Sequence, residues 1–285
     1  MNIEEITLNI GMENPFSVIH MSDNHICLAD ERDDERKDEL CRKRLYHFTD
    51  GVHEKQEQIN SAMFDYVKKN KLPLIHTGDL IDFVSQKNLG YAAECFNGIE
   101  TVVCAGNHEF SLYVGEAWED EAYKKQSLSD VEKAFPDGIE FGVKYINGLK
   151  FITLDNGYYY ILPEHLEAFR KEISDGEPFV LVMHNPLYSK DMYKKVMAGK
   201  PLTEPPYLVG CPDELLSELS EHRFRQQRAD ETTLEFLELC NSCENLKAVL
   251  TGHLHEGFVS QLDSGVPQLV ADGAFHDIMY KINFI

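Results

Sequence analysis

Five short clusters of metal-ligating residue types recur along this 285-residue chain: Asp23-Asn24-His25, Gly78-Asp79-Leu80-Ile81-Asp82, Gly106-Asn107-His108-Glu109, His184-Asn185-Pro186 and Gly252-His253-Leu254-His255. Carboxylate, amide oxygen and imidazole suit hard or borderline divalent ions such as Mn, Fe, Zn, Co or Ni, whereas Cu(I) or iron-sulfur chemistry needs thiolates. No Cys lies within the clusters. One carboxylate can bridge two such ions ~3.5–4 Å apart and so clamp the attacking and leaving oxygens of an in-line displacement at phosphorus. Asp79 is the candidate for that bridge.

Each cluster directly follows a short apolar or β-branched run, at 17–21, 72–77, 101–105, 179–183 and 248–251, which reads as a buried strand. In open α/β sheets the loops at the carboxyl ends of strands converge on one crevice, so clusters far apart in sequence are expected to meet. Between the second and third runs, residues 83–99 leave room for one crossover helix, and between the first and second Ile59, Met63 and Val67 recur at helical spacing. Strand, helix, strand alternation implies parallel pairing. Elsewhere, 143–146 and 149–154 flank Asn147-Gly148, a dipeptide suited to a tight hairpin turn with positive φ at both positions. The C-terminus alternates, Ile278, Tyr280, Ile282 and Phe284 facing one way and Met279, Lys281 and Asn283 the other. The expected fold class is α/β, a mixed β core flanked by helices.

Apolar residues make up 43% and charged residues 27% of the chain, ordinary usage for a globular protein, and the length permits a sizeable core. Net charge is −22, from 27 basic and 49 acidic residues. Such a surface repels DNA, RNA and anionic membranes at short range, so nucleic acid is a disfavoured partner and a small phosphate ester the expected one. Seven Cys, an odd number, and a first stretch without a basic start and apolar run are expected of reduced thiols in a cytoplasm. No apolar run reaches the roughly 18 residues of a membrane span.

A single domain is expected over 1–285, without internal repeat or linker. It carries a charged insertion at about 30–58 and a lid or cap insertion, bearing Pro201, Pro205 and Pro206, at about 186–230. Residues 30–44, dense in both charge signs, are expected to form a solvated helix or loop.

The order Asp-x-His, Gly-Asp-x-x-Asp, Gly-Asn-His-Glu, His and Gly-His-x-His resembles the calcineurin-like metallophosphoesterase superfamily. Its diagnostic blocks span Asp23 to His255 in the right order, and together they are far more specific than any one alone. The resemblance implies a four-layer α/β/β/α sandwich. It also implies that Asp23, His25 and His255 bind a first divalent ion and Asn107, His184 and His253 a second, with Asp79 shared and a water or hydroxide between the ions as nucleophile. His108 matches the family's catalytic imidazole, which stabilises or protonates the leaving oxygen, and Asp82 the carboxylate that orients it. Glu109 stands where Asp is commoner and is expected to make local hydrogen bonds.

Other candidates read more simply. His20 and His76 lie inside strands and are expected to be satisfied core residues, while His47, His53, His165, His222 and His276 lack ligand-type company. Cys240 and Cys243 have no second pair nearby and are expected to pack at a helix end. Tyr158, Tyr159 and Tyr160 follow a strand and are expected to pack rather than touch substrate. Between 186 and 228, seven basic residues offset six acidic ones, as in a solvated or partner-facing insertion.

Ser/Thr protein phosphatases of the superfamily carry Arg-Gly after the second Asp of the Gly-Asp block, whereas Phe83-Val84 follows Asp82 here, which removes a bidentate phosphate clamp. The resemblance and the charge together point to a phosphodiesterase or phosphomonoesterase for small, nucleotide-like substrates. The alternatives are a non-catalytic scaffold of the same fold, whose members tend to lose catalytic or ligand residues, and a nuclease, which needs a basic approach surface.

Overall fold

The computed structural model describes residues 1–116, 120–136 and 138–285, the side chain of His53 lying outside that description. Two sheets are built from the described strands. The first contains β1 (Asn2–Leu8), β2 (Phe16–Met21), β3 (Leu74–His76), β4 (Thr101–Val103) and β11 (Ile278–Phe284), in the order β1-β11-β2-β3-β4. The second contains β5 (Phe141–Ile146), β6 (Leu149–Leu154), β7 (Phe179–Val182), β8 (Leu246–Thr251), β9 (Phe258–Gln261) and β10 (Pro267–Val270), in the order β5-β6-β7-β8-β10-β9. β2, β3 and β4 run parallel, as do β6, β7, β8 and β10, while β11–β2, β5–β6 and β10–β9 are antiparallel.

Side chains alternate across a strand, so a strand buried on both faces feeds two different cores. Val18, Ile75 and Val102 of the first sheet meet Phe151, Val180, Val182, Ala248 and Leu250 of the second in the sandwich interior. Their neighbours Ile19, Leu74 and Val103 point outward, against Met63 and Val67 of α2 (His53–Asn70) and Leu89 and Ala92 of α3 (Gln86–Phe96). On the far side Ile152, Leu181 and Val249 pack against Phe169 of α6 (Pro163–Ile173) and Phe236 of α9 (Glu231–Ser242). The result is the expected four-layer α/β/β/α arrangement. The expected crossover helix is α3, begun by the Ser85 hydroxyl accepting from the Asn88 N–H. The hairpin turn has Asn147 at φ 48° and Gly148 at φ 83°, the left-handed pair that such a turn requires.

The charged segment after β2 contains α1 (Glu35–Thr49), capped by Asp34 through the Lys37 N–H. Only one side of it is solvated: Cys41, Leu45 and Phe48 pack with Cys27 and Phe83, and Arg44 turns inward. Residues 30–44 are thus largely the expected solvated segment, with Cys41 buried and Arg44 half-buried because the helical period sends every third or fourth residue to the protein side. The short helices α4 (Glu121–Lys124) and α5 (Leu128–Ala134) follow β4, and α7 (Lys190–Val196) and α8 (Glu221–Gln227) lie in the Pro-containing segment. No helix among the described residues is long and apolar enough to cross a membrane.

Candidate metal centre

The five clusters follow β2, β3, β4, β7 and β8, three strands of one sheet and two of the other, and meet at one end of the sandwich. Asp23, His25, Asp79, His253 and His255 all have left-handed backbone, with φ between 46° and 72°. That region costs a non-glycine residue of order 1–3 kcal/mol, and here it turns each chain sharply so that successive side chains enter one crevice. Hydrogen bonds between loops hold these turns: Asp23 N–H to Gly78 O at 3.0 Å, His25 N–H to Asp79 O at 2.9 Å, and Gly252 N–H to His184 O at 2.9 Å. Gly252 is required by close approach, since a Cβ there would lie 1.7 Å from Ser22 Oγ and 2.5 Å from Asp23 Oδ2.

The structure brings Asp23, His25 and His255 into one group and Asp79, His184 and His253 into another. Nε2 of His25 lies 2.8 Å from Nε2 of His255, and Nδ1 of His253 lies 3.1 Å from Nε2 of His184. Facing imidazole lone pairs repel at such distances unless a proton or cation stands between them. Each carboxylate divides its oxygens. Asp23 Oδ2 accepts from the His253 N–H and Asp79 Oδ1 from the His108 N–H, both at 2.8 Å. Asp79 Oδ2 is left 3.2 Å from His184 Nε2 and 3.7 Å from His25 Nε2, between the two groups. Asp23 Oδ1 and Asn107 Oδ1 are buried with no hydrogen-bond partner. Buried acceptors without donors, next to imidazoles and free of sulfur ligands, fit divalent cations.

Burial raises the carboxyls of Asp23, Asp79 and Asp82, but the surrounding imidazoles, joined at Asp82 by Arg44, hold all three well below the usual carboxylate range. Burial likewise lowers His25 and His184, yet the adjacent carboxylates prevail and hold them at about 10 and about 9. His253 goes the other way, lowered to about 3 by burial and by the neighbouring His184. The centre is thus an anionic well that draws protons or, in competition with them, metal ions.

His108 Nδ1 lies 2.7 Å from the Asp82 backbone oxygen and 3.1 Å from its Oδ1. The same Oδ1 lies 2.9 Å from His25 Nδ1. His25, Asp82 and His108 thus form a third group of possible ligands, but both Asp82 oxygens are also bonded by the Arg44 guanidinium, a cation that already neutralises that carboxylate. Glu109 makes local hydrogen bonds, accepting from the N–H groups of Asp79, Gly106 and Ile81, and burial raises it to about 7. His20 and His76 are buried and bonded to Thr77 and Asn24. Cys240 is buried in the second outer core, with Cys243 packed beside it.

Two residues of the site escaped the motif reading. Arg44 sits in a charge run with no ligand neighbours, and its one sequence signal is helical spacing from Phe48 on the face that also carries Cys41 and Leu45. Tyr159 belongs to a run expected to pack. It is buried, but its hydroxyl lies 2.6 Å from Nε2 of His253.

A two-sheet sandwich that gathers paired nitrogen and oxygen donors at the carboxyl ends of its strands, with a further imidazole alongside, defines a hydrolase built around a metal centre. Residues 16–257 match the family model described as calcineurin-like phosphoesterase. The chain belongs to that family and is a phosphoester hydrolase. No curated protein matches it. Among solved structures it is similar to a dimetal phosphatase from Danio rerio, with 10% identity, TM-score 0.46 and coverage of 91% of this chain and 88% of that one. It is also similar to the phosphopantetheinyl hydrolase PptH from Mycobacterium tuberculosis, with 11% identity, TM-score 0.45 and coverage of 95% and 91%. A putative 5'-nucleotidase from Staphylococcus aureus matches with 12% identity, TM-score 0.44 and coverage of 92% of this chain and 49% of that one.

Proposed function

We propose that the protein hydrolyses a small, nucleotide-like phosphate ester, preferably a diester, at two divalent ions. Asp23, His25 and His255 would hold one ion, Asn107, His184 and His253 the other, and Asp79 would be shared. When bound, such a pair supplies Lewis acidity and ionises water near pH 7. The observation that carries this reading is the pair of buried oxygens that make no hydrogen bond, Asn107 Oδ1 and Asp23 Oδ1, the latter facing His255 Nε2 at 3.4 Å and His25 Nε2 at 3.6 Å.

The chain's own residues orient and move protons. Pinning one oxygen of Asp23 and of Asp79 by a backbone N–H fixes the other. His108, held through Nδ1 by Asp82, directs Nε2 away from it and protonates the departing oxygen there. The arginine fork near the site is spent on Asp82, and no Arg follows Asp82 in sequence to clamp a terminal phosphoryl group, which supports a diester over a monoester. Tyr207, in the 186–230 cap of this single domain, places its half-buried ring 5.7 Å from the His253 ring, which supports stacking of a base or aryl group. The seven free thiols support a reducing, cytoplasmic setting.

The test is hydrolysis of paired aryl mono- and diester phosphates by metal-free protein reloaded separately with Mn, Zn, Fe, Co or Ni, with bound metal counted by mass spectrometry. Two ions bound and faster diester turnover are expected. Absence of turnover with two ions bound would end the reading.

A further inference from the structure

We infer that Arg44 is a positioning residue for this reaction, holding Asp82 so that one carboxylate orients both the ligand imidazole of His25 and the leaving-group imidazole of His108. The inference rests on the dimetal hydrolysis proposed above. Arg44 Nε donates to Asp82 Oδ2 at 2.6 Å and Nη2 to Asp82 Oδ1 at 2.8 Å, a bidentate fork that fixes the carboxylate plane. Asp82 is fully buried and the Arg44 side chain 17% exposed. The two imidazoles that share Asp82 Oδ1 meet edge to face, with ring centroids 4.7 Å apart. A carboxylate free to rotate could serve one of these rings at the expense of the other; a forked carboxylate serves both.

The helix that delivers the guanidinium also braces the ligand. Phe48, one turn beyond Arg44 on α1, stacks on His25 with centroids 4.5 Å apart and planes 7° apart, and residues four apart share a helix face. Cys41, Leu45 and Phe48 anchor that face in a core with Cys27 and Phe83. The charged segment is therefore part of the catalytic apparatus, supplying a cation that the sequence after Asp82 does not carry. Outer partners of ligand histidines set their tautomer and direction, and losing one typically lowers metal affinity or activity ~10–100-fold.

The test uses the full chain, stripped of metal and titrated with Mn(II) by electron paramagnetic resonance, and then assayed on p-nitrophenyl and alkyl phosphodiesters. R44Q, R44K, D82N, the R44Q/D82N pair and R42Q are compared, Arg42 being an exposed residue of the same helix. R44Q is expected to weaken Mn(II) binding ~10-fold and lower kcat ~10–100-fold at nearly unchanged KM. The loss should be larger for the alkyl leaving group, which needs the His108 proton. R44K, which keeps charge but not the fork, should fall short in the same way, R42Q should match the wild type, and R44Q/D82N should be no worse than D82N. Wild-type affinity and turnover in both Arg44 variants, or multiplying losses in the pair, would overturn the inference. R44K carries the test where R44Q does not fold. If the wild type cleaves no ester, the proposed function falls and the Mn(II) titration alone decides: a ~10-fold loss sustains the role of Arg44 and an unchanged affinity removes it.

Discussion

Tyr159 Oη lies 2.6 Å from Nε2 of His253, while Nδ1 of the same ring faces His184 Nε2 at 3.1 Å. Tyr159 adopts this pose with left-handed backbone, φ 67°, as does the neighbouring Tyr207 at φ 54°. Both rings meet His253 edge-on. A bulky residue in that region is a backbone outlier, and with an ion at Nδ1 the Tyr159 hydroxyl would accept from His253 Nε2–H and so orient the ring.

Tyr159→Phe keeps the ring and removes the hydroxyl bonded to His253 Nε2. Affinity for the second metal should fall by about tenfold, read by competition with a chromophoric chelator, while the first site keeps its affinity. Equal affinities in wild type and variant would show that the hydroxyl does not orient His253.

Lys124 is buried beside Asp155, four residues before Tyr159. Its ammonium pairs with Asp155, lies 2.8 Å from Glu140 and sits 4.6 Å from the Phe110 ring centroid. Asp155 in turn accepts from the Gly157 N–H at 2.9 Å. Lys124→Met strands a buried carboxylate and should cost about 3–5 kcal/mol in urea unfolding, with part of it restored by adding Asp155→Asn. A loss under about 1 kcal/mol would place the triad among weak surface pairs.

Acid should destabilise the metal-free protein through two buried histidines outside the ligand set. Burial, helped by neighbouring His76, pushes His20 down to about 3, and burial pushes His76 down to about 4. Both titrate near 6.5 when unfolded. The unfolded chain therefore binds more protons below about pH 6.5, so stability present above that value drains away as pH falls toward 4 and then 3. The urea midpoint should drop between pH 7 and 5, each group contributing up to about 1.4 kcal/mol per pH unit. The H20Q/H76Q variant should show a shallower slope, and an identical slope would exclude these two groups as its source.

The left-handed backbone at the ligands predicts a trade between stability and function. His255 has φ 53° and its side chain is 37% exposed, so truncating it opens little cavity. Both H255G and H255A should lose the first metal, but metal-free H255G should be the more stable of the two by about 0.5–1 kcal/mol, because glycine alone enters that region without strain. Chemical denaturation of the two metal-free proteins compares them directly.

The spacing of Asp23 and His25, Asp79 and Asp82, and His253 and His255 was legible because each pair follows an apolar strand, and strand ends are readable from local pattern. The Asn147-Gly148 turn and the crossover helix within 83–99 were legible for the same reason: period and turn chemistry are local. Arg44 was not. Its helical spacing from Phe48 places it on the apolar face but names no partner, and Asp82 lies 38 residues away. The division of the five cluster-bearing strands between two sheets was equally hidden, since pairing depends on contacts hundreds of residues apart, such as Tyr280 with His20.

By itself the sequence determined which atoms are available for chemistry: nitrogen and oxygen donors, no thiolates, at the ends of strands in an acidic chain. Tertiary structure decided which oxygen of each carboxylate faces the imidazoles, which nitrogen of His253 is tied to Tyr159, and that a helix from a charged segment clasps Asp82. The physical reason is that donor type is a property of a residue, whereas direction is set by backbone dihedrals and long-range hydrogen bonds that exist only once the chain has folded.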